Sequence, residues 1–225
     1  MAEKKTAKKM AENEVFGKHG IGSKKALAVI LSKFEVFKEP KVSSEQYATD
    51  AEIAAEVLWN VYMANDIGKV SADLGCGTGI LGIGMLLLGA RKVFFVDYDS
   101  KALEIAKNNL EKAKSESSIA GKAIFICESI KSFNEKVDLV VQNPPFGVKI
   151  RHMDKMFLEK AFEISNVIYS FHKSESKGFI DKFSRGNGFK VTNVWEFEFP
   201  LKATLAYHTK KIKRIKVSCF RIEKS

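Results

Sequence analysis

KVSADLGCGTG, residues 69–79, decides how this chain folds. KVSAD (69–73) has the length and apolar content of a short strand, and it runs straight into glycines at 75, 77 and 79. ILGIGMLLLGA (80–90) then reads as a buried helix closed by Gly89. The same alternation continues downstream. KVFFVD (92–97) is a strand, SKALEIAKNNLEKAK (100–114) an amphipathic helix and KAIFIC (122–127) another strand. KVDLVVQ (136–142) is a fourth strand, ending in Asn143-Pro144-Pro145-Phe146. MDKMFLEKAFEIS (153–165) is helical, NVIYSF (166–171) a fifth strand and SESKGFIDKFSRG (174–186) a helix. Upstream, AEIAAEVLWNVYM (51–63) has helical spacing, with Thr49 or Asp50 placed to cap it.

FKVTNVWEFEF (189–199) and IKRIKVSCFRIE (212–223) alternate in polarity with no helix between them, as an antiparallel pair would. Strands alternating with helices imply an α/β fold, a mostly parallel, doubly wound sheet covered on both faces. The terminal hairpin brings it to seven strands. This Rossmann-like layout resembles that of class I methyltransferases from about residue 45 onward. A chain of 225 residues holds one such domain, expected over 24–225 behind a basic tail at 1–23.

Cys76, Cys127 and Cys219 are an odd, scattered set, which argues against a disulfide framework. No CxxC, HxxxH or carboxylate cluster suggests an intrinsic metal site. No apolar run approaches the ~20 residues of a membrane span. The lysines of MAEKKTAKKMAENEV are followed by no apolar h-region, so the expected address is the cytoplasm.

The net charge of +10 is uneven. Residues 201–225 hold eight Lys/Arg against Glu223 alone, residues 1–50 hold ten lysines against seven acids, and the body between is neutral. Basic ends on a neutral body suit a polyanionic partner, although lysine-rich ends also serve as solubilising tails.

Ligands of open α/β sheets bind beyond the carboxyl ends of the strands, where the strand order reverses, and four features fall at such ends. Asp73-Leu74-Gly75-Cys76-Gly77-Thr78-Gly79 follows the first strand. Glycines there let the backbone approach a ligand with no Cβ in the way. Counted from Gly75, a GxGxxG dinucleotide turn would place Ile80 where a third glycine belongs. The spacing instead resembles the S-adenosylmethionine motif, in which the carboxylate of Asp73 orders the loop near the aminoacyl part of the cofactor. Asp97 ends the second strand and can accept both ribose hydroxyls as charge-assisted bonds, with Tyr98 beside it to pack on adenine. Its rival role, capping the next helix, suits Asp99 or Ser100 better. Glu128, with Ser129 beside it, ends the third strand where methyltransferases usually place an Asp against the adenine amine. A solvated loop acid would look the same.

Asn143-Pro144-Pro145-Phe146 carries the chemistry. An exocyclic amine conjugated to a ring is a poor nucleophile, because its lone pair is delocalised. Two oxygens, the Asn143 side chain and the Pro144 carbonyl, can each accept one N–H and favour the pyramidal amine. The prolines fix φ and so preorganise the carbonyl. Phe146 offers a face on which a base can stack, worth ~1–3 kcal/mol.

NPP-aromatic is shared by enzymes acting on adenine N6, cytosine N4, guanine N2 and glutamine amides. Three further segments narrow the resemblance: Glu45-Gln46-Tyr47-Ala48-Thr49, Asn143-Pro144-Pro145-Phe146-Gly147-Val148-Lys149, and Tyr169-Ser170-Phe171-His172-Lys173-Ser174. They resemble the EQY-x-T, NPPFGTK and YS-x-HKS segments of the small-subunit ribosomal RNA adenine-N6 methyltransferases of archaea and eukaryotes (methyltransferase-like protein five and relatives). The similarity covers residues 24 to about 222. It implies an S-adenosylmethionine-dependent RNA methyltransferase, with Asn143, Pro144, Pro145 and Phe146 catalytic. Gln46, Tyr47, Thr49, Gly75, Gly77, Thr78 and Ile80 would join Asp73, Asp97, Tyr98, Glu128 and Ser129 around the cofactor. Thr78 and Glu128 differ in type from the family's usual residues. The resemblance also implies a small zinc-binding activator subunit paired with the sheet edge.

Candidate RNA contacts are Lys149, Arg151 and His152 past the catalytic loop, a second patch at Lys210, Lys211, Lys213 and Arg214, and the pair His172 and Lys173, read as the start of a loop. Two other functions stay open: a protein glutamine-amide methyltransferase, and a non-catalytic RNA-binding assembly factor that keeps the fold.

Overall fold

Val93 and Phe95 point to one side of their strand, Phe94 and Val96 to the other, and all four are buried. That two-sided burial marks the inside of a sheet covered by helices on both faces. The computed structural model describes residues 21–37, 49–145, 153–201 and 213–225. The strands are β1 (Val70–Leu74), β2 (Lys92–Asp97), β3 (Lys122–Cys127), β4 (Leu139–Gln142), β5 (Val167–Lys173), β6 (Phe189–Leu201) and β7 (Lys213–Lys224). They form one sheet in the order β3-β2-β1-β4-β5-β7-β6. β1 to β5 run parallel, and β7 is antiparallel to both β5 and β6.

The helices are α1 (Lys24–Leu31), α2 (Ala51–Met63), α3 (Ile80–Leu87), α4 (Ser100–Glu116), α5 (Met153–Ile164) and α6 (Lys177–Gly186), with a 3-10 turn at Ser174–Ser176. Buried residues of α1, α2, α3 and α4 pack on one face and those of α5 and α6 on the other. A fully buried side chain such as Phe95 contributes roughly 2–3 kcal/mol. Local chemistry sets the helix starts. Asp50 accepts from the Glu52 and Ile53 N–H groups to begin α2, and Asp99 from Lys101 N–H to begin α4. None of the helices among the described residues is long and apolar enough to cross a membrane.

Several boundaries differ from the sequence reading. α1 was not expected, because eight residues KKALAVIL carry too little pattern to stand out. α3 stops at Leu87 rather than residue 90. β4 begins at Leu139 rather than 136, since Asp138 turns its side chain back to accept the Val70 N–H at 2.9 Å. β5 runs two residues further than its apolar run, because His172 and Lys173 pair with Ser218 and Val217 of β7. At the opposite end of β5, Tyr169 Oη and Arg221 Nε both donate to Asp66 Oδ2 at 2.7 Å, tying the end of α2 to β5 and β7.

The strand order places the reversal at β1 and β4: β2 and β3 extend the sheet one way, β5, β7 and β6 the other. Leu74 pairs with Gln142, so residues 75 and 143 leave the sheet side by side.

Candidate functional site

Asp73 is buried on β1, and its Oδ2 accepts the Gly82 N–H at 2.7 Å, one turn into α3. The carboxylate therefore clamps the ends of the glycine loop together. Between them, Gly75, Gly77 and Gly79 have φ of +66°, +51° and +83°. A Cβ at three alternating left-handed positions would strain the turn, which is why the run is glycine. Gly75 N–H and Cys76 N–H donate to Val96 O at 2.8 and 3.1 Å, and Gly77 N–H donates to Asp97 Oδ2 at 2.9 Å. The loop is strapped to the end of β2.

Burial pushes Asp73 up to about 7; the Gly82 bond opposes the rise and the nearby Asp97 charge adds to it. Asp97 is raised as well, by burial first, against the N–H groups of Asp99 and Gly77 that bond it. Two desolvated carboxylates with no cationic side chain beside them among the described residues make this corner favourable for a positively charged ligand. Asp97 Oδ1 accepts from Asp99 N–H at 2.9 Å, so each oxygen already holds one backbone donor and keeps acceptor capacity for another. Capping of α4 falls to Asp99. Tyr98 stands 65% exposed beside this acid. Glu128 N–H donates to Asp97 O at 3.1 Å, which brings Glu128 to the same edge, with the exposed Ser129 after it.

Across the switch point, Asn143 Nδ2 donates to Thr49 Oγ1 at 2.9 Å. Asn143 Oδ1 is buried and has no hydrogen-bond partner among the described residues. A buried acceptor left unpaired costs free energy, so this oxygen keeps capacity for a donor. Pro144 behind it is buried. Thr49, Asp73, Gly75, Gly77, Thr78, Ile80 and Asn143, seven of the residues singled out in the sequence, line one cavity.

Three further residues line this cavity that the sequence does not single out as site residues: Phe37, Cys76 and Leu81. The Phe37 ring lies over Gly77, 3.6 Å from where a Cβ would stand. It is held there by Asn109, a fully buried residue of α4. Its Oδ1 accepts from Glu35 N–H at 2.7 Å, and its Nδ2 donates to Glu35 O and Thr78 O, each at 3.0 Å. An asparagine on the apolar face of an amphipathic helix was the available signal.

His172 differs from the expectation of a loop residue contacting RNA. It is not the start of a loop but a strand residue, 2% exposed, with Nε2 2.7 Å from Ser170 Oγ and its ring edge-on to Phe220. Burial lowers its pKa to about 3, so it stays neutral and is not presented to a phosphate. Gln142 Nε2 donates to the same Ser170 hydroxyl, so the histidine belongs to a buried chain beneath the β4 end. Lys173 is more exposed, with its ammonium 3.9 Å from Glu175. Lys213 and Arg214 open β7 opposite Leu201 and Pro200. Gln46, Tyr47, Phe146, Lys149, Arg151, His152, Lys210 and Lys211 lie outside the described residues.

A parallel sheet in this order, with a glycine loop after β1, an acid closing β2 and an antiparallel β7, defines a class I methyltransferase that uses S-adenosylmethionine. The glycine cradle and the two buried carboxylates fit that cofactor, which is cationic at sulfur and at its amino group. The chain matches the methyltransferase small domain over residues 33–166. It is 34% identical over 201 residues to the Danio rerio protein named rRNA N(6)-adenosine-methyltransferase METTL5, covering 88% of this chain and 97% of that one. To the Drosophila melanogaster protein of the same name it is 32% identical over 191 residues, covering 83% and 90%. The crystal structure of the Pyrococcus horikoshii protein PH1948 aligns with a TM-score of 0.79 at 44% identity, over 89% of this chain and 96% of that one. The chain belongs to the methyltransferase small-domain family and stands in it beside the METTL5 proteins.

Proposed function

We propose that this protein methylates N6 of an adenine in RNA, and that the RNA is small-subunit ribosomal RNA. The observation that carries the reading is the buried Oδ1 of Asn143, unpaired among the described residues and set beside the glycine loop by the Leu74–Gln142 pairing. The names of the METTL5 relatives support adenine and ribosomal RNA. S-adenosylmethionine, when bound, supplies an electrophilic methyl group on a sulfonium.

The chain's own residues do the rest. Asn143 Oδ1 accepts one N–H of the target amine and the Pro144 carbonyl accepts the other, which restores nucleophilic character to the nitrogen. No general base is required in this scheme, since the nitrogen proton becomes acidic once the methyl is attached. Phe146 stacks on the target base. Asp97 takes the ribose hydroxyls, and Tyr98, Glu128 and Ser129 hold the adenine end. Asp73 keeps the loop in shape, while Gln46, Tyr47, Thr49, Thr78 and Ile80 close the site. A target adenine must leave its stack to reach Asn143, which favours an unpaired site. Lys149, Arg151, His152, Lys173, Lys210, Lys211, Lys213 and Arg214 are the proposed phosphate contacts.

The edge strand β3 supports a partner. Its residues Ala123–Ile126 are only half-buried, whereas β4 is buried throughout. An open strand edge with half-covered apolar side chains suits strand pairing by a small zinc-binding activator subunit. Cytoplasmic residence is part of the same proposal.

Incubation with labelled S-adenosylmethionine and total ribosomal RNA or protein, followed by RNase or protease, tests the reading. Label lost to RNase and recovered as N6-methyladenosine is expected; label that survives RNase and follows protein would replace it with a glutamine-amide methyltransferase.

A further inference from the structure

We infer that Phe179 is a stacking platform for an RNA base flanking the target adenine, with Lys155, Lys177 and Lys182 meeting the phosphates around it. This rests on RNA being the substrate. Phe179 is 43% exposed on α6, although Ile180 and Ser184 already bury that helix against the sheet. A single exposed apolar side chain is ordinary on a protein surface. This one ends a row of rings. Phe189 and Phe162 stack at 4.3 Å between centroids, and Phe183 follows Phe162 at 6.0 Å. Phe179 then stacks on Phe183 at 5.4 Å, with 13° between the ring planes. The row runs from the buried Phe189 to the surface, so its outermost ring is held by its neighbour and still meets solvent.

The row also runs toward the site. β5 is parallel to β4, so α6, which follows β5, starts on the side of the sheet where Asn143 leaves it. α5 starts on that side too: a Cβ on Gly75 would stand 2.9 Å from the Phe157 ring. Lys155, two residues before Phe157, sets its ammonium 5.7 Å from the centre of the Phe183 ring and 3.4 Å from Glu159. Lys177 and Lys182 are exposed and have no ion pair among the described residues, whereas Arg185 and Asp181 neutralise each other. Cations around an exposed ring suit single-stranded RNA, because any base can stack on the ring while its phosphates meet the ammonium groups. Lysines are depleted from protein interfaces, which favours RNA over a protein as the occupant.

The test compares the full chain with Phe179→Ala, Phe179→Trp and Lys182→Ala. Turnover is measured on small-subunit ribosomal RNA, and affinity on a fluorescently labelled single-stranded RNA oligonucleotide. Phe179→Ala should raise Kd and the KM for RNA ~5- to 100-fold, with kcat at saturating RNA and cofactor affinity within about twofold of wild type. Phe179→Trp should keep the affinity, and its added indole emission should be quenched as RNA binds. Lys182→Ala should weaken binding and reduce the slope of log affinity against log salt by ~0.7. Phe179→Ala that binds RNA as tightly as wild type overturns the inference. So does a joint loss of kcat, cofactor affinity and melting temperature, which makes the ring a packing element. Unchanged RNA affinity with loss of a self-association seen by light scattering would give the surface to a second copy of the chain. A wild type that binds and methylates no RNA would overturn the substrate reading, and this inference with it.

Discussion

Asp97 Oδ2 accepts the Gly77 N–H at 2.9 Å, so the acid that closes β2 also holds the middle of the loop that follows β1. One carboxylate thus shapes the cradle and presents its remaining lone pairs to the ligand. Asp97→Ala removes both functions. Cofactor affinity should drop about a hundredfold, the size expected for losing charge-assisted hydrogen bonds, while turnover at saturating cofactor changes little. Asp97→Asn should fall between, because its one amide oxygen can replace only part of the acceptor set. Calorimetric titration of the three proteins decides this, and equal affinities would remove Asp97 from the cofactor site.

The pH dependence of the site has a definite sign. Asp73 ionises near 4 in an unfolded chain and near 7 in the folded protein. The folded state therefore holds the proton more tightly between those values. The stability this provides is complete below about pH 4 and is lost as pH rises through about 7. Without cofactor, the thermal midpoint should decline from pH 5 to 8, and Asp73→Asn should flatten that slope. A cationic cofactor favours the ionised acid, so its affinity should climb over the same interval with release of a proton, visible as a buffer-dependent heat of binding. Cofactor affinity that falls together with stability would contradict this assignment.

Asn109 joins three pieces that are far apart in the chain: the backbone at Glu35, the carbonyl of Thr78 and its own helix α4. Replacing it with alanine takes the donor from the carbonyl of buried Thr78, at a cost of about 1–3 kcal/mol, and releases the part-buried backbone of Glu35. It also frees Phe37 from its place over Gly77. Asn109→Ala should melt earlier and bind cofactor about tenfold more weakly, with kcat retained at saturation. Unchanged affinity in a destabilised protein would show that the Phe37 segment is not part of the cofactor site.

Much of this was legible in the residues. β2 and β3 came out to the residue, because KVFFVD and KAIFIC are apolar runs bounded by polar punctuation. The glycine loop and Asp97 announced themselves by position at strand ends. The end of β5 did not: His172 and Lys173 are polar, and only their pairing with β7 makes them strand. That same pairing and the packing against Phe220 bury His172, which no local pattern could reveal. The ties that shape the site were equally hidden. Thr49 to Asn143 spans 94 residues and Asn109 to Glu35 spans 74, and hydrogen bonds between such distant residues leave no periodic trace.

The central claim is that Asn143 Oδ1 receives an adenine N–H. Its most direct measurement is nucleoside analysis of ribosomal RNA treated with labelled S-adenosylmethionine by the wild-type chain and by Asn143→Ala, with cofactor binding titrated in both. N6-methyladenosine should form with the wild type and fall at least ~100-fold with the variant, at unchanged cofactor affinity. Methylation by Asn143→Ala at the wild-type rate, or label appearing in another nucleoside, would contradict the account.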